Sequence, residues 1–386
     1  MTQLQMSKHV VIVAGEASGD HHGATLVHEL KARKGEHYQF SGIGGQRLQR
    51  AGVTLLCDLA QHGVTGLVEV LRHIRVIRQA YKQLQQHLID TRPDLLILID
   101  YPGFNLRIAR FAKQTLGIKI LYYISPQIWA WKAKRINVIA KNVDHMAVIL
   151  PFEKTYYEKA NIPVSFVGHP LVQRIAQVKT QHPKRADYGL PHDKKMIALL
   201  PGSRVNEIEQ HMPVFYSAAK KIHAQHPALH FVIPVAETLE LSRLQHYWPD
   251  RTIPCSFIKG HALEIAYCSD ILIVASGTAS LECALLNKPM AIVYKASLLT
   301  YILVTKLIRV NYLGLSNLLL NQMAVPELLQ YDCNPNEVAH MIHLLLTDQK
   351  YTHHMHQKLT ELEHQLSLAQ IDCSLPALVT TLLAPS

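Results

Sequence analysis

Short apolar runs rich in Val and Ile alternate along the chain with longer amphipathic stretches. In the first half, the runs at 9–14, 39–43, 95–99, 119–124, 145–149 and 165–167 predict strands. The run Leu95-Leu96-Ile97-Leu98-Ile99 has no polar position, which predicts a strand covered on both faces, as in a parallel sheet. The amphipathic stretches between the runs predict helices that supply right-handed crossovers. A polar segment, Gln181-His182-Pro183-Lys184-Arg185, breaks the periodicity, so a linker is expected between about 171 and 191. The pattern then restarts with runs at 196–200, 230–234, 256–258, 271–275 and 290–294, and the last stretch, 336–383, reads as helices. The expectation is an α/β protein of two Rossmann-like domains facing a cleft. Their ranges are 1–170 and 171–350, with helices in 351–386 packing back on the first domain.

A length of 386 residues suits two domains rather than one core. Hydrophobic residues make up 48% and charged residues 18%, which excludes a disordered chain. The excess of 39 Lys+Arg over 29 Asp+Glu gives a net charge of +10, which favours an anionic partner: nucleic acid, a phosphorylated substrate or an acidic membrane leaflet. The basic residues are dispersed and match no nucleic-acid motif, so nucleic acid is not expected. Six cysteines without CxxC spacing read as reduced core thiols, and no DxD or metal-ligand spacing occurs, so neither a metal nor a cofactor is implied. The apolar run at the N-terminus is too short for a signal peptide. The stretch 297–320, interrupted by Lys306, Arg309 and Asn311, makes a poor spanning helix. A cytoplasmic, soluble protein is expected, with contact to a membrane surface left open.

Candidate chemistry clusters at the ends of the runs. The first is followed by Gly15-Glu16-Ala17-Ser18-Gly19-Asp20, which is neither GxGxxG nor a P-loop; its acidic groups suit sugar hydroxyls better than phosphates, and a plain strand-to-helix turn is the alternative. Asp100 ends the run 95–99, where it is either a general base with a raised pKa or the cap of a helix starting near Asn105. The segment from Tyr122 to Lys132 carries Trp129 and Trp131 beside Ser125 and Gln127, which suits a sugar-binding wall or ordinary core packing. In the second half, Arg204 after Pro201-Gly202-Ser203 is placed to fork onto a phosphate beside backbone amides, or to pair with Glu207. Ser276, Gly277, Thr278 and Ala279 form a turn suited to a diphosphate at a helix start, with Glu282 spaced for a ribose diol. In 64–83 the positions Leu67, Val70, Leu71, Ile74, Ile77 and Tyr81 follow helical spacing beside Arg72, Arg75, Arg78 and Lys82. Such a helix either lies in an anionic membrane interface or packs on the sheet.

Taken in order, VAGEASGD (13–20), TGLVEVL (65–71), the segment 100–105, YISPQIWAWKAKRI (123–136), LPFEK (150–154), FVGHPL (166–171), LLPGSR (199–204), SGTASLECAL (276–285) and PMAIVY (289–294) resemble the lipid-A-disaccharide synthases. The resemblance implies an inverting, metal-independent glycosyltransferase of the GT-B fold, peripherally associated with the cytoplasmic side of an inner membrane. It implies a UDP-2,3-diacylglucosamine donor and a 2,3-diacylglucosamine 1-phosphate acceptor, giving a β-1,6-linked disaccharide phosphate and UDP. It further implies that Asp100 is the general base, that Glu16 lies in the active site and that Arg204 meets the UDP phosphate. Thr278, Ala279 and Glu282 would line the UDP site with Asn317 near the donor, although Leu315-Ser316-Asn317 lacks the Pro of the family's Ser-Leu-Pro-Asn.

Overall fold

The computed structural model describes residues 7–33, 37–59, 74–126, 128, 133–296, 311–367 and 369–384. The chain divides into two compact units, Met1–Pro170 with Ala369–Ser386, and Leu171–Leu368. Among the described residues the first unit holds a sheet of β1 (Lys8–Ala14), β2 (Tyr38–Gly44), β3 (Thr54–Asp58), β4 (Leu95–Ile99), β5 (Ile120–Tyr123), β6 (His145–Val148) and β7 (Val164–Phe166). Their order is β3-β2-β1-β4-β5-β6-β7, and every pairing is parallel. The second unit repeats the scheme with β8 (Met196–Leu200), β9 (His230–Val235), β10 (Cys255–Lys259), β11 (Ile271–Ala275), β12 (Met290–Tyr294) and β13 (Glu327–Leu329), in the parallel order β10-β9-β8-β11-β12-β13. Winding reverses between β1 and β4 and again between β8 and β11. Outside the carboxyl ends of strands at such a reversal, the two adjoining loops diverge and leave a crevice for ligand.

The central strands are wholly buried, as the unbroken apolar runs predict. The edge strands β3 and β13 carry no such run, because an edge strand is covered on fewer sides and tolerates polar positions; neither was expected.

An aspartate fixes register at several strand starts. Asp94, just before β4, donates its N–H to the His9 carbonyl (2.9 Å) and accepts the His9 N–H on its carboxylate (2.8 Å). Asp144 brackets Ile120 in the same way (3.0 and 2.8 Å), and Asp270 brackets Met196 (2.9 and 2.7 Å). Since a one-residue slip turns every side chain to the opposite face, pinning one residue at the strand start fixes the whole pairing.

The same device attaches the C-terminal segment to the edge strand β7. Asp372 donates to the Phe166 carbonyl (3.0 Å) and accepts the Phe166 N–H (2.8 Å), while Lys154 pairs with its other oxygen (2.6 Å). The helix Leu375–Leu383 then buries Leu375, Leu378, Val379 and Leu383 in the first unit's core. The domain limit expected at 350 falls instead at 368: the helix Gln349–Ser367 keeps Met355, Leu359, Leu362 and Leu366 buried within the second unit. The expected linker is likewise structured, because the helix Pro170–Gln181 has an apolar stripe of Leu171, Ile175 and Val178.

Three imidazoles at strand starts hydrogen-bond a serine of the neighbouring strand. His9 bonds Ser41 (2.8 Å), His145 bonds Ser165 (2.9 Å) and His230 bonds Ser256 (2.9 Å). Burial pushes all three below the usual 6.5, and pushes His169 down to about 4. Their native pKa values lie below the unfolded value, so their stabilising contribution is complete above pH 6.5 and is lost as pH falls through the folded values. Thermal melts should therefore show Tm falling steadily below pH 6.5; a Tm independent of pH down to about 4 would contradict this.

Candidate functional site

Glu16 and Asp100 stand at the reversal of the first sheet, one after β1 and the other after β4. Gly15 follows β1, and Glu16 is the extended N-cap of the helix Ala17–Lys31, with no side-chain cap hydrogen bond. Asp20, from the same motif, has a different task. It is buried and accepts from the backbone amides of Gly45 (2.7 Å), Arg47 (3.0 Å) and Leu48 (3.1 Å), so it caps the helix Gln46–Arg50 and is not presented to a sugar.

After Ile99 the chain enters the left-handed region twice in succession, at Asp100 (φ 45°) and Tyr101 (φ 47°). Each such residue without glycine costs on the order of 1 kcal/mol or more. Pro102 then opens the helix Pro102–Leu116, whose N-cap is Tyr101 and which has no side-chain cap, so Asp100 does not serve as its cap. The Tyr101 ring lies against Gly15, where a Cβ atom would come within 2.2–2.6 Å of ring carbons. Only glycine at 15 admits this ring.

Asp100 is partly buried, and its carboxyl is pushed up to about 7, first by burial and then by the like charge of Glu16, against the stabilising N–H of Tyr101. The Tyr101 hydroxyl is raised as well, by burial and then by Glu16. A carboxylate titrating near neutrality at a sheet reversal is matched to proton abstraction, because a general base works best with a pKa near the operating pH.

The segment after β5 serves the interior in its described part. The Ser125 hydroxyl shares a 2.7 Å hydrogen bond with the Tyr157 hydroxyl, both groups buried. Gln127, Trp129, Trp131 and Lys132 lie outside the described residues, as do Leu67, Val70, Leu71 and Arg72. In the helix Ile74–Thr91, Ala80, Leu84 and Leu88 are buried, and Ile77 and Tyr81 pack against the same core. The apolar stripe from Ile77 onwards therefore faces the sheet, not a membrane. Ile74 is half-buried, while Arg75 and Arg78 are exposed.

In the second unit, Arg204 follows β8 and the turn 276–278 follows β11, so both stand at that sheet's reversal. The backbone amides beside Arg204 are not available to a phosphate. Glu207 accepts from Ser203 N (2.8 Å) and Arg204 N (3.2 Å) and pairs with the Arg204 guanidinium (3.0 Å). Gly202, at φ 115°, makes room for that carboxylate, since a Cβ there would lie 2.2 Å from its Oε2. The Arg204 side chain is about half exposed (46%).

The helix Thr278–Leu285 begins at exposed Gly277 (φ 147°) and has no side-chain cap; Ser276 and Ala279 are half-buried and Thr278 is exposed. Ser280 N donates to Gly277 O within this turn (3.1 Å), and the helix start carries the positive end of the helix dipole. Glu282, one turn on, is largely buried and pairs with Arg174 at 2.8 Å; burial raises its carboxyl and Arg174 opposes that.

Asn317, expected near the donor, directs its side chain into its own loop. It is wholly buried; its Nδ2 donates to Val325 O (2.7 Å) and Glu327 Oε1 (2.7 Å), and its Oδ1 accepts from Ala324 N (2.9 Å) and Val325 N (2.8 Å). These four bonds use the amide's capacity to fold its own loop. Glu327 completes that loop by accepting from Leu313 N and Gly314 N, both at 2.9 Å.

His211, unmarked in the sequence reading, ties the strand ends of the second sheet together. Its Nδ1 bonds Pro201 O at 2.7 Å, and its Nε2 accepts from Lys295 N at 3.1 Å.

Two doubly wound parallel sheets in tandem, each with its polar groups at the winding reversal, define the GT-B class of glycosyltransferase fold. A kitacinnamycin glycosyltransferase shares it, with a TM-score of 0.64 at 13% identity, covering 98% of this chain and 100% of that one. A profile of the lipid-A-disaccharide synthetase family matches residues 10–379, and the chain belongs to that family. The lipid-A-disaccharide synthase 1 of Legionella pneumophila (strain Paris) is 52% identical over 373 residues, 97% of each chain. The lipid-A-disaccharide synthase of Trichlorobacter lovleyi is 41% identical over 379 residues, 98% of each. The protein is accordingly a glycosyltransferase of lipid A biosynthesis.

Proposed function

We propose that the protein condenses UDP-2,3-diacylglucosamine with 2,3-diacylglucosamine 1-phosphate, with Asp100 as general base. Asp100 takes the proton of the acceptor 6-hydroxyl as that oxygen attacks the donor's anomeric carbon. The bond from that carbon to the UDP oxygen breaks with inversion, and its electron pair leaves on UDP. What carries this reading is the Asp100 carboxyl, poised at about 7 beside Glu16 at the reversal of the first sheet. Glu16 holds that value up by its charge. The exposed edge of Arg204 and the uncapped turn at Ser276, Gly277, Thr278 and Ala279 receive the diphosphate, whose growing charge they stabilise. Glu282, held by Arg174, meets the ribose, and Asn317 shapes the donor loop from inside without touching ligand.

Purified protein given both acylated substrates should release UDP and form a disaccharide phosphate in equal amounts. UDP release without disaccharide, or turnover of unacylated UDP-N-acetylglucosamine alone, would overturn the reading.

Among the described residues no helix is long and apolar enough to cross a membrane. We propose that the exposed basic face at Arg75 and Arg78 brings the enzyme to an anionic, cytoplasm-facing membrane surface. Each such residue contributes about 1 kcal/mol near an anionic bilayer. Reversing both charges should weaken binding to phosphatidylglycerol vesicles by at least roughly tenfold at low salt. Unchanged vesicle binding would assign this face to solvent alone.

A further inference from the structure

Two consecutive non-glycine residues in the left-handed region do not hold themselves there; buried hydrogen-bonding groups hold Asp100. Its backbone carbonyl accepts two hydrogen bonds, from the Tyr122 hydroxyl (2.6 Å) and from Asn105 Nδ2 (2.8 Å). The same Nδ2 also reaches the Ile99 carbonyl (3.1 Å), so one amide group clasps the two carbonyls between which the chain turns. Asp100 N in turn donates to Tyr123 O at 3.1 Å, which anchors the far side of the residue to β5. Asn105 and Tyr122 are both wholly buried.

The amide is arranged for this clasp at a cost. Asn105 Oδ1 is buried and has no hydrogen-bond partner among the described residues. Turning the amide over would satisfy nothing, because it would aim an oxygen at two carbonyl oxygens. A group kept for stability alone would be expected to satisfy both ends, since an orphaned buried acceptor is destabilising.

We propose that Asn105 and Tyr122 are positioning residues for the reaction: by clasping the Ile99 and Asp100 carbonyls they hold Asp100 in its left-handed conformation, with its carboxylate at the sheet reversal beside Glu16. The inference rests on the reading of Asp100 as general base. Neither residue touches a substrate; both act through the backbone of Asp100. When the clasp is lost, Asp100 relaxes towards ordinary backbone angles and its carboxylate moves out towards water. The groups that face this carboxylate are Glu16 from the β1 loop, the Tyr101 amide from its own turn, and the Tyr122 hydroxyl from β5. Relaxation takes it away from the burial and the Glu16 charge that raise its pKa, so the acid limb of the rate profile moves to lower pH.

The test compares Asn105→Leu, Tyr122→Phe and the double variant with wild type, using both acylated substrates and the pH dependence of kcat and kcat/KM. Leu keeps the branching and heavy-atom count of Asn, relieves the orphaned acceptor and removes both donors; Phe loses only the hydroxyl. For Asn105→Leu, kcat should fall by roughly 10–10²-fold with KM changed little, the signature of a misplaced catalytic group. For Tyr122→Phe the fall should be smaller, about 3–10-fold, with the acid limb displaced in the same direction. The double variant should lose less than the product of the two, because both groups hold one carbonyl. If Asn105→Leu does not fold, Tyr122→Phe carries the test alone, since it keeps the buried ring. Variants that melt at lower temperature but keep wild-type kcat and acid limb would make the clasp structural only and overturn the proposal. Asp100→Asn separates the two readings: full activity there would remove Asp100 as base, whatever the clasp variants do.

Discussion

Asp100→Asn is expected to lower kcat by roughly 10²–10⁴-fold and at the same time to raise the melting temperature at alkaline pH. Both effects follow from one fact, that a carboxyl is held among groups that disfavour its charge. With a pKa of about 7 in the folded enzyme against 3.8 in the open chain, the protonated form fits the native state better. Stability from this group is therefore complete below pH 3.8 and is lost as pH rises through about 7. A neutral amide of the same shape avoids the loss. Discounted for its partial exposure, the gain near pH 8 is about 1–3 kcal/mol, and it should vanish in melts below about pH 4. A variant that is inactive and less stable at every pH would show instead that Asp100 is a structural ligand of its turn. Glu16→Gln removes the second cause of the raised pKa, so its acid limb should lie below that of wild type.

Gly15→Ala should cost nearly as much activity, although residue 15 bears no chemistry. The added methyl would stand 2.2 Å from Tyr101 Cδ1 and 2.5 Å from its Cγ, so the ring must be displaced from its place next to Asp100. A shift of about 1 Å in a catalytic group costs on the order of 10²-fold in rate, and overpacking of this kind costs about 1–3 kcal/mol in stability. Gly103→Ala is the matched control. It lies in the first turn of the helix Pro102–Leu116, where an added Cβ meets nothing within 4 Å, and it should leave rate unchanged while stabilising slightly. Equal behaviour of the two alanine variants would contradict the packing argument.

Much of this architecture is legible without coordinates. Uninterrupted apolar runs such as 95–99 mark the buried parallel strands, and polar groups just beyond them, among them Glu16, Asp100, Arg204 and the 276–278 turn, mark strand ends. The edge strands β3 and β13 escaped because their burial is partial and no period betrays it. Asp20 and Asn317 show the commoner difficulty. A carboxylate or amide in a motif looks the same in sequence whether it faces ligand or interior, and only partners far along the chain decide. Gly45, Arg47 and Leu48 claim Asp20, while Ala324, Val325 and Glu327 claim Asn317. Asn105 stands in plain view at the end of the Asp100 segment, yet its role depends on two positive φ angles that no local pattern announces. The basic amphipathic helix was ambiguous for a related reason, since an apolar stripe reports that something covers it but not what.

The role of Asp100 as general base is tested most directly by the pH dependence of kcat/KM for disaccharide formation by the wild-type enzyme, measured between about pH 5 and 9. The acid limb should titrate as a single group near 7, the value at which burial and Glu16 hold the Asp100 carboxyl. A rate that stays level down to pH 5 would contradict it, for then the proton of the acceptor hydroxyl would be leaving to some group other than Asp100.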